Sequence, residues 1–126
     1  MKSSRSVPSI IWPKKPGRYK VVQFYDPEER PYLRFSDLFS GRPASHEETL
    51  MKFAIELGVR CINDQVYQAK NLPVRSGYYL CGAGFCRLDP KEKTAVFNKG
   101  SSQYDKRINK EHLRKLRLHF PDWQIK

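Results

Sequence analysis

The chain has 126 residues, which is the length of one domain with a single hydrophobic core. With 39% hydrophobic and 13% aromatic residues, and with no apolar run near the roughly 20 residues of a membrane span, the composition excludes a disordered chain and a membrane-spanning one. The net charge is +11, and residues 1–20 hold six bases and no acid while residues 106–117 hold six bases and one acid, so the excess is confined to two segments.

Residues 1–17 are predicted to form a basic, proline-containing arm. Pro8, Pro13 and Pro16 exclude a helix over most of it and favour an extended backbone. The same prolines spoil the amphipathic helix of an organelle transit peptide, and the apolar residues 10–12 are too few for a signal peptide. Because such an arm has no core of its own, we expect it to be ordered by something that it touches.

Two strands are expected next. Residues 19–25, YKVVQFY, have the β-branched and aromatic content of a strand, and the sequence DPEE at residues 26–29 supplies a turn. Residues 31–35 are predicted to be a second, shorter strand.

The middle of the chain is predicted to hold a helix, a strand and a long connection. Ser45 and Glu48 have the spacing of a capping box, and the apolar stripe that follows them ends before Gly58. Residues 59–62 are predicted to be a short apolar strand. The polar residues 63–77 form a connection longer than compact domains usually contain, so we predict an insertion there.

The last third of the chain is predicted to be a hairpin, a helix and a final short strand. Residues 78–88 and 93–97 are extended patterns on either side of a turn. Asn109 is expected to cap a helix that ends before Pro121, with an apolar stripe that must lie across the hairpin. The whole order predicts one α+β domain over residues 18–126, with two helices packed on a mixed sheet.

The second basic segment has cations at helical spacing. They are three, four and three residues apart at Arg107, Lys110, Arg114 and Arg117. Like charges at this spacing repel one another unless solvent or an anion screens them. A solvated surface and a binding surface are equally good interpretations of this pattern taken alone.

The cysteines and two of the histidines are predicted to have no metal-binding role. Cys61, Cys81 and Cys86 lack CxxC spacing, and the latter two face opposite sides of a regular strand, so we expect buried thiols. His112 and His119 lie seven residues apart on the basic helix with no third ligand, so surface or groove positions are expected for them. No metal and no other cofactor is expected.

Four short motifs resemble those of the phosphohistidine phosphatase family, also called the Janus/Ocnus family. They are GRYKVV at residues 17–22, GAG at 82–84, GSSQY at 100–104 and FPDW at 120–123. The likeness covers most of the chain, and from residue 82 to residue 125 the motifs fall in the family's spacing without a gap. The resemblance implies a phosphohistidine-phosphatase-like fold.

The resemblance also implies a phosphate site. In that family a histidine at the start of the first helix is the acid/base or phospho-accepting group, and His46 lies near that position. A lysine, an arginine and a strand-end serine hold the phosphate, and these correspond to Lys20, Arg34 and Ser101.

The chain departs from the family pattern around that site. Phe85 stands where the family has an arginine, Gln103 replaces a small residue and Asp105 replaces a glycine. An apolar ring and a carboxylate remove one cation and add repulsion for a phosphate, which argues against retained catalysis.

Two hypotheses of function follow. The first is a non-catalytic RNA-binding subunit of a ribonucleoprotein, namely a ribosomal protein of the mitochondrion or the cytoplasm, with ribosomal RNA and neighbouring proteins as partners and no membrane partner. Its predicted phosphate contacts are Lys14, Lys15, Arg18, Lys20, Arg107, Lys110, Arg114 and Arg117, and Trp12 and Tyr19 are predicted to stack on bases or sugars. The second is a phosphohistidine phosphatase that uses His46 on a phosphoprotein substrate. Either protein would be intracellular, in the mitochondrion or the cytoplasm.

Overall fold

The computed structural model describes residues 8–36, 38–39, 42–43, 48–49, 52–53, 79–101 and 106–126. The elements in chain order are β1 (Gly17–Tyr25), β2 (Pro31–Phe35), β3 (Leu38–Phe39), β4 (Arg42–Pro43), β5 (Tyr79–Asp89), β6 (Thr94–Asn98), β7 (Gly100–Ser101), β8 (Lys106–Arg107), α1 (Lys110–His119) and β9 (Gln124–Ile125).

Five strands form one mixed sheet in the order β2-β1-β5-β6-β9. The first three pairings are antiparallel, and β6 and β9 are parallel. The two predicted strands at the start of the domain, the predicted hairpin and the predicted short last strand are all present. The α+β class and the mixed sheet are therefore confirmed.

The strand β1, which lies between β2 and β5, is buried on both of its faces over residues 21–25. Its side chains alternate, with Val21 toward α1 and Val22 toward the opposite side, and both are fully buried. Leu113 and Leu116 of α1 cover the first face, in one apolar cluster with Val21. Phe24 projects from the second face, where its ring centroid lies 4.3 Å from that of Phe53. Burial on both faces fits a strand with a near-continuous apolar run.

The helix predicted in the middle of the chain is only partly covered by the described residues. Residues 48–49 and 52–53 are helical, and they lie inside the helix predicted from Ser45 to Gly58. Ser45, His46 and the predicted elements between residues 54 and 77 lie outside the described residues. Two packed helices therefore remain a prediction.

The start of α1 is fixed by a cap and by two glycines. Asn109 is the N-cap, and its side-chain oxygen accepts a hydrogen bond from the backbone N–H of His112 at 3.0 Å. A Cβ atom on Gly82 would come within 2.9 Å of the Arg107 carbonyl oxygen, and one on Gly84 within 2.6 Å of Ile108 Cγ1. Glycines at these positions therefore let the segment that leads into the helix lie directly on β5.

His112 is fully buried, so the prediction of a surface or groove position is wrong for this residue. Its Nε2 lies 3.0 Å from the carbonyl oxygens of Phe24 and Tyr32, and its Nδ1 lies 3.2 Å from the amide nitrogen of Gln23. Nε2 therefore carries the proton and donates, while Nδ1 accepts. Burial lowers the pKa of His112 to about 4, although the two carbonyl groups oppose part of this shift. His119 is exposed, as predicted.

The N-terminal arm is held by its own chain. Ile10 pairs with Leu33 of the sheet-edge strand β2, whose backbone N–H donates to the Ser9 carbonyl at 2.8 Å. Trp12 then stacks on Trp123, with ring centroids 3.7 Å apart and planes 2° from parallel. Residues 8–17, the part of the predicted arm that the structure describes, thus contact the sheet edge and the C-terminal segment.

The expectation that Tyr19 is available to stack on bases is wrong, and Trp12 is half-buried with one of its faces already stacked. One face of the Trp12 indole is covered by Trp123, and its edge meets Phe120. Tyr19 is buried, and its hydroxyl donates to the Lys15 carbonyl at 2.6 Å. These rings stabilise the arm.

The two described cysteines are thiols that form no disulfide. Cys86 is buried, as predicted, and burial raises its pKa to about 12. Cys81 is half-buried, and Cys61 lies outside the described residues. Such a high pKa leaves Cys86 without reactivity as a thiolate.

Candidate nucleic-acid interface

Basic side chains surround two clefts, one near each edge of the sheet. The first basic cleft has a volume of about 350 Å³ and lies between the arm and the β2 edge. Its described cations are Lys14, Lys15, Arg34 and Lys52, and no acid is among the lining residues that the structure describes. Two buried hydroxyl-bearing residues, Ser36 and Thr49, add polar groups to the lining.

The arm positions the exposed cations of the first basic cleft. Lys14 and Lys15 follow Trp12, whose stacking on Trp123 fixes the chain just before them. The Lys15 carbonyl accepts the bond from the Tyr19 hydroxyl, which fixes the chain just after them. Two exposed ammonium groups are therefore presented from a backbone that is held at both ends.

Arg34 holds the arm in place. Its guanidinium donates to the carbonyl oxygens of Pro8 at 2.6 Å and Ser9 at 3.0 Å, and it lies 4.7 Å from the centre of the Phe53 ring. A buried guanidinium with several carbonyl acceptors is well satisfied. These contacts give Arg34 a structural role, and its predicted part in holding a phosphate remains a prediction.

The second basic cleft has a volume of about 420 Å³ and lies between α1 and the edge of the sheet formed by β6 and β9. Its apolar lining is Phe97, Ile108 and Leu113. Its cations are Lys99, Arg107, Lys110, Arg117 and Lys126, and within the described ranges no acid lines it.

Four parts of the chain bring the cations of the second basic cleft together, and Lys99 lies between β6 and β7. Arg107 ends β8, just before the Asn109 cap, and Lys110 and Arg117 lie seven residues apart on the same side of α1. Lys126 follows β9, and its carbonyl accepts from the Phe97 N–H at 2.8 Å. Arg117 also donates to the Ile125 carbonyl at 2.9 Å, which ties the helix to β9.

The four cations predicted to form one stripe are divided by the structure. Arg107 precedes the helix, and Arg107, Lys110 and Arg117 line the second basic cleft. Arg114 is not among the lining residues, and its Nε lies 3.0 Å from Glu111 Oε1 in an exposed ion pair. The predicted set therefore contains three residues that share a site and a fourth that does not.

Lys20 and Arg18 alternate with Val21 along β1, so they lie on the face of the sheet opposite to α1. The half-buried Lys20 is opposite Phe85 of β5, which is in turn opposite Asn98 of β6. The Arg18 guanidinium lies 4.5 Å from the centre of the Phe85 ring. A cation therefore occupies the space over this ring.

The predicted phosphate site of Lys20, Arg34, His46 and Ser101 is not tested by this geometry. β7, which contains Ser101, begins two residues after Asn98 and so lies near the rung of Lys20. His46 and the side chain of Ser101 lie outside the described residues. Their convergence with Lys20 on one hollow stays a prediction.

Sequence reasoning missed three cleft cations. Lys52 belongs to a helical residue pair that reaches the arm only through the packing of Phe53 on the sheet. Lys99 follows β6 with a left-handed backbone (φ 63°), and Lys126 reaches the second cleft only because β9 pairs with β6. No local pattern signals these positions, since each depends on contacts between segments distant in the sequence.

A search against protein-family models and a search of curated proteins each find no match for this chain. Within the described ranges, no three His, Cys, Asp or Glu side chains come together as a metal site requires. None of the helices in the described part of the chain has the length and apolar character needed to cross a membrane.

Proposed function

We propose that this chain is a non-catalytic RNA-binding subunit of a ribonucleoprotein, and that its folded domain is a scaffold for two basic clefts. More specifically, we propose a ribosomal protein of the mitochondrion or the cytoplasm. Its partners would be ribosomal RNA and the neighbouring proteins of the assembly. The observation that carries the proposal is the positive charge of the second basic cleft, which no acid among the described residues pairs.

The ion pairs among the described residues lie outside the second basic cleft. Each ion pair among the described residues joins an acid to a cation outside it: Arg30 with Asp26 and Glu28, Lys93 with Asp122, and Arg114 with Glu111. The five cleft cations thus have no described acid partner, and they repel one another. Entry of a polyanion would relieve that repulsion and release the counterions that it had gathered.

The amount and spread of the charge favour a polymer over a single phosphate group. A phosphate monoester carries at most two negative charges, and a few converging donors satisfy it. The second basic cleft has five described cations, and the separate first basic cleft has four more. Repeated phosphates along a chain would use both clefts.

The salt dependence of RNA binding tests this proposal directly. Each cation that no longer neutralises a phosphate should reduce the slope of log K against log salt concentration by about 0.9. We therefore expect Lys110→Gln combined with Arg117→Gln to reduce the slope by about 2, with binding followed by fluorescence anisotropy from low to moderate salt.

Arg114→Gln is the matched control, because Arg114 is an exposed arginine of the same helix outside the cleft. It should leave the slope unchanged. If the double variant bound RNA with the affinity and slope of the wild type, the second basic cleft would not be the contact.

Recovery of RNA with the native protein tests the same proposal in the cell. The phosphohistidine phosphatase alternative makes a different demand, because activity on a phosphohistidine protein would have to disappear in His46→Ala while the fold persists. An active wild type and an inactive His46→Ala, with no RNA in the native preparation, would favour the alternative.

A further inference from the structure

The aromatic residues of the two clefts limit what kind of RNA they accept. Proteins that bind single-stranded RNA stack unpaired bases on exposed aromatic rings. Among the described lining residues the rings are Tyr19, Phe35 and Phe97, which are 3%, 9% and 8% exposed. Edges of buried rings at this level of exposure offer no face on which a base can stack.

Among the described residues, the large apolar groups classed as exposed do not supply such an aromatic platform. The exposed ones among the described residues are Ile11, Val96 and Leu118, and all three are aliphatic. Trp12 and Trp123 stack on each other, and neither lines a cleft. The partly buried Phe85 ring has the Arg18 guanidinium over it.

The positions of the clefts suit two rows of phosphates. Tyr19, at the first basic cleft, is opposite Cys86, which is opposite Phe97 at the second basic cleft. The clefts therefore border the same rung of the sheet, with lining residues two strand spacings or roughly 10 Å apart. A duplex presents two phosphate strands and twice the axial charge density of one strand.

From the charge, the buried rings and this spacing, we infer that the chain binds the sugar–phosphate backbone of double-stranded RNA and does not read unpaired bases. The inference rests on the proposed function and specifies its partner. Recognition of a duplex by backbone and shape is largely independent of sequence.

The test compares two RNA probes at one salt concentration. One is a blunt RNA duplex of about 16 base pairs, the length that known duplex-binding domains span. The other is an oligouridine of the same nucleotide length, which stays unpaired. We expect the full chain to bind the duplex at least about tenfold more tightly, and to bind a second duplex of unrelated sequence equally well.

The possible outcomes separate this inference from the proposed function. Equal or tighter binding of oligouridine would overturn the duplex inference and leave RNA binding intact, since each stacked base typically contributes roughly five- to 150-fold in affinity. Strong discrimination between the two duplexes would overturn it too, because it requires contacts to bases. Binding of neither probe would overturn both proposals.

Discussion

Acidification should destabilise the fold through His112. The imidazole is fully buried, and Nδ1 accepts from the Gln23 amide. That amide cannot turn over without cost, because its oxygen accepts from the Asn109 N–H at 2.7 Å and its nitrogen donates to the Asn109 carbonyl at 3.1 Å. A proton added to Nδ1 would therefore face another donor inside the protein.

The size of the effect follows from the pKa of His112. The folded value of about 4 lies below the ordinary 6.5, so the unfolded chain binds the proton more readily between those two pH values. The free energy of unfolding is therefore fully supported above pH 6.5 and falls as the pH drops toward 4. At 1.36 kcal/mol per pKa unit, the total loss is roughly 3 kcal/mol, which is a large fraction of a small domain's stability.

Urea unfolding across this pH range is the assay. The wild-type curve should lose about 1 kcal/mol per pH unit from His112 alone, and carboxylates add their own loss near the acid end. His112→Gln should be less stable at neutral pH but should depend less on pH, while His119→Gln controls for removing an imidazole from the same helix. Equal pH slopes for the wild type and His112→Gln would refute the reasoning.

An independent measurement covers the case in which His112→Gln does not fold. In the wild type, the imidazole resonances of His112 in NMR spectra should keep the neutral, Nε2-protonated form down to about pH 5, since the pKa is lowered to about 4. An imidazolium at His112 near pH 6 in the folded protein would contradict the assignment.

Three further substitutions have defined expectations. Gly84→Ala should lower the free energy of unfolding, measured with urea, by about 1–3 kcal/mol, because the added Cβ atom would lie only 2.6 Å from Ile108 Cγ1. Asn109→Ala should cost about 1 kcal/mol through loss of the cap, and Asn109→Ser should recover part of it. Trp123→Ala should release the arm, and increased tryptic cleavage after Lys14 together with a lower salt slope for RNA would report this release; Trp123→Phe, which keeps an aromatic contact, should show less of both.

The parts of the fold that sequence reasoning predicts depend on local signals. The helix α1 has its cap at Asn109, its stripe at Leu113 and Leu116 and a proline just after its end, all within thirteen residues of one another. The hairpin likewise joins two extended patterns through a short turn. Each of these elements is specified by neighbours in the sequence, so each is predictable without the rest of the chain.

The site is less predictable because its geometry is non-local. His112 has the same local spacing whether it is exposed or buried, and its acceptors belong to Phe24 and Tyr32, about eighty residues earlier. Trp12 is expected to be available because its partner, Trp123, lies at the other end of the chain. Net charge identifies three of the second cleft's five cations, and only the β6–β9 pairing brings in Lys126.

The C-terminal segment connects the two basic clefts although it is short. Trp123 holds the arm that presents Lys14 and Lys15 in the first basic cleft, while the Ile125 and Lys126 carbonyls join Arg117 and Phe97 of the second. Because these interactions are aromatic stacking and hydrogen bonds to backbone carbonyls, they position the cations without neutralising them. Disturbing this segment should therefore weaken RNA binding at both clefts, even though Trp123 itself lines neither. A Trp123→Ala variant combined with Lys14→Gln and Lys15→Gln should then lose less affinity than the sum of the separate effects predicts, because both changes remove the arm from the RNA.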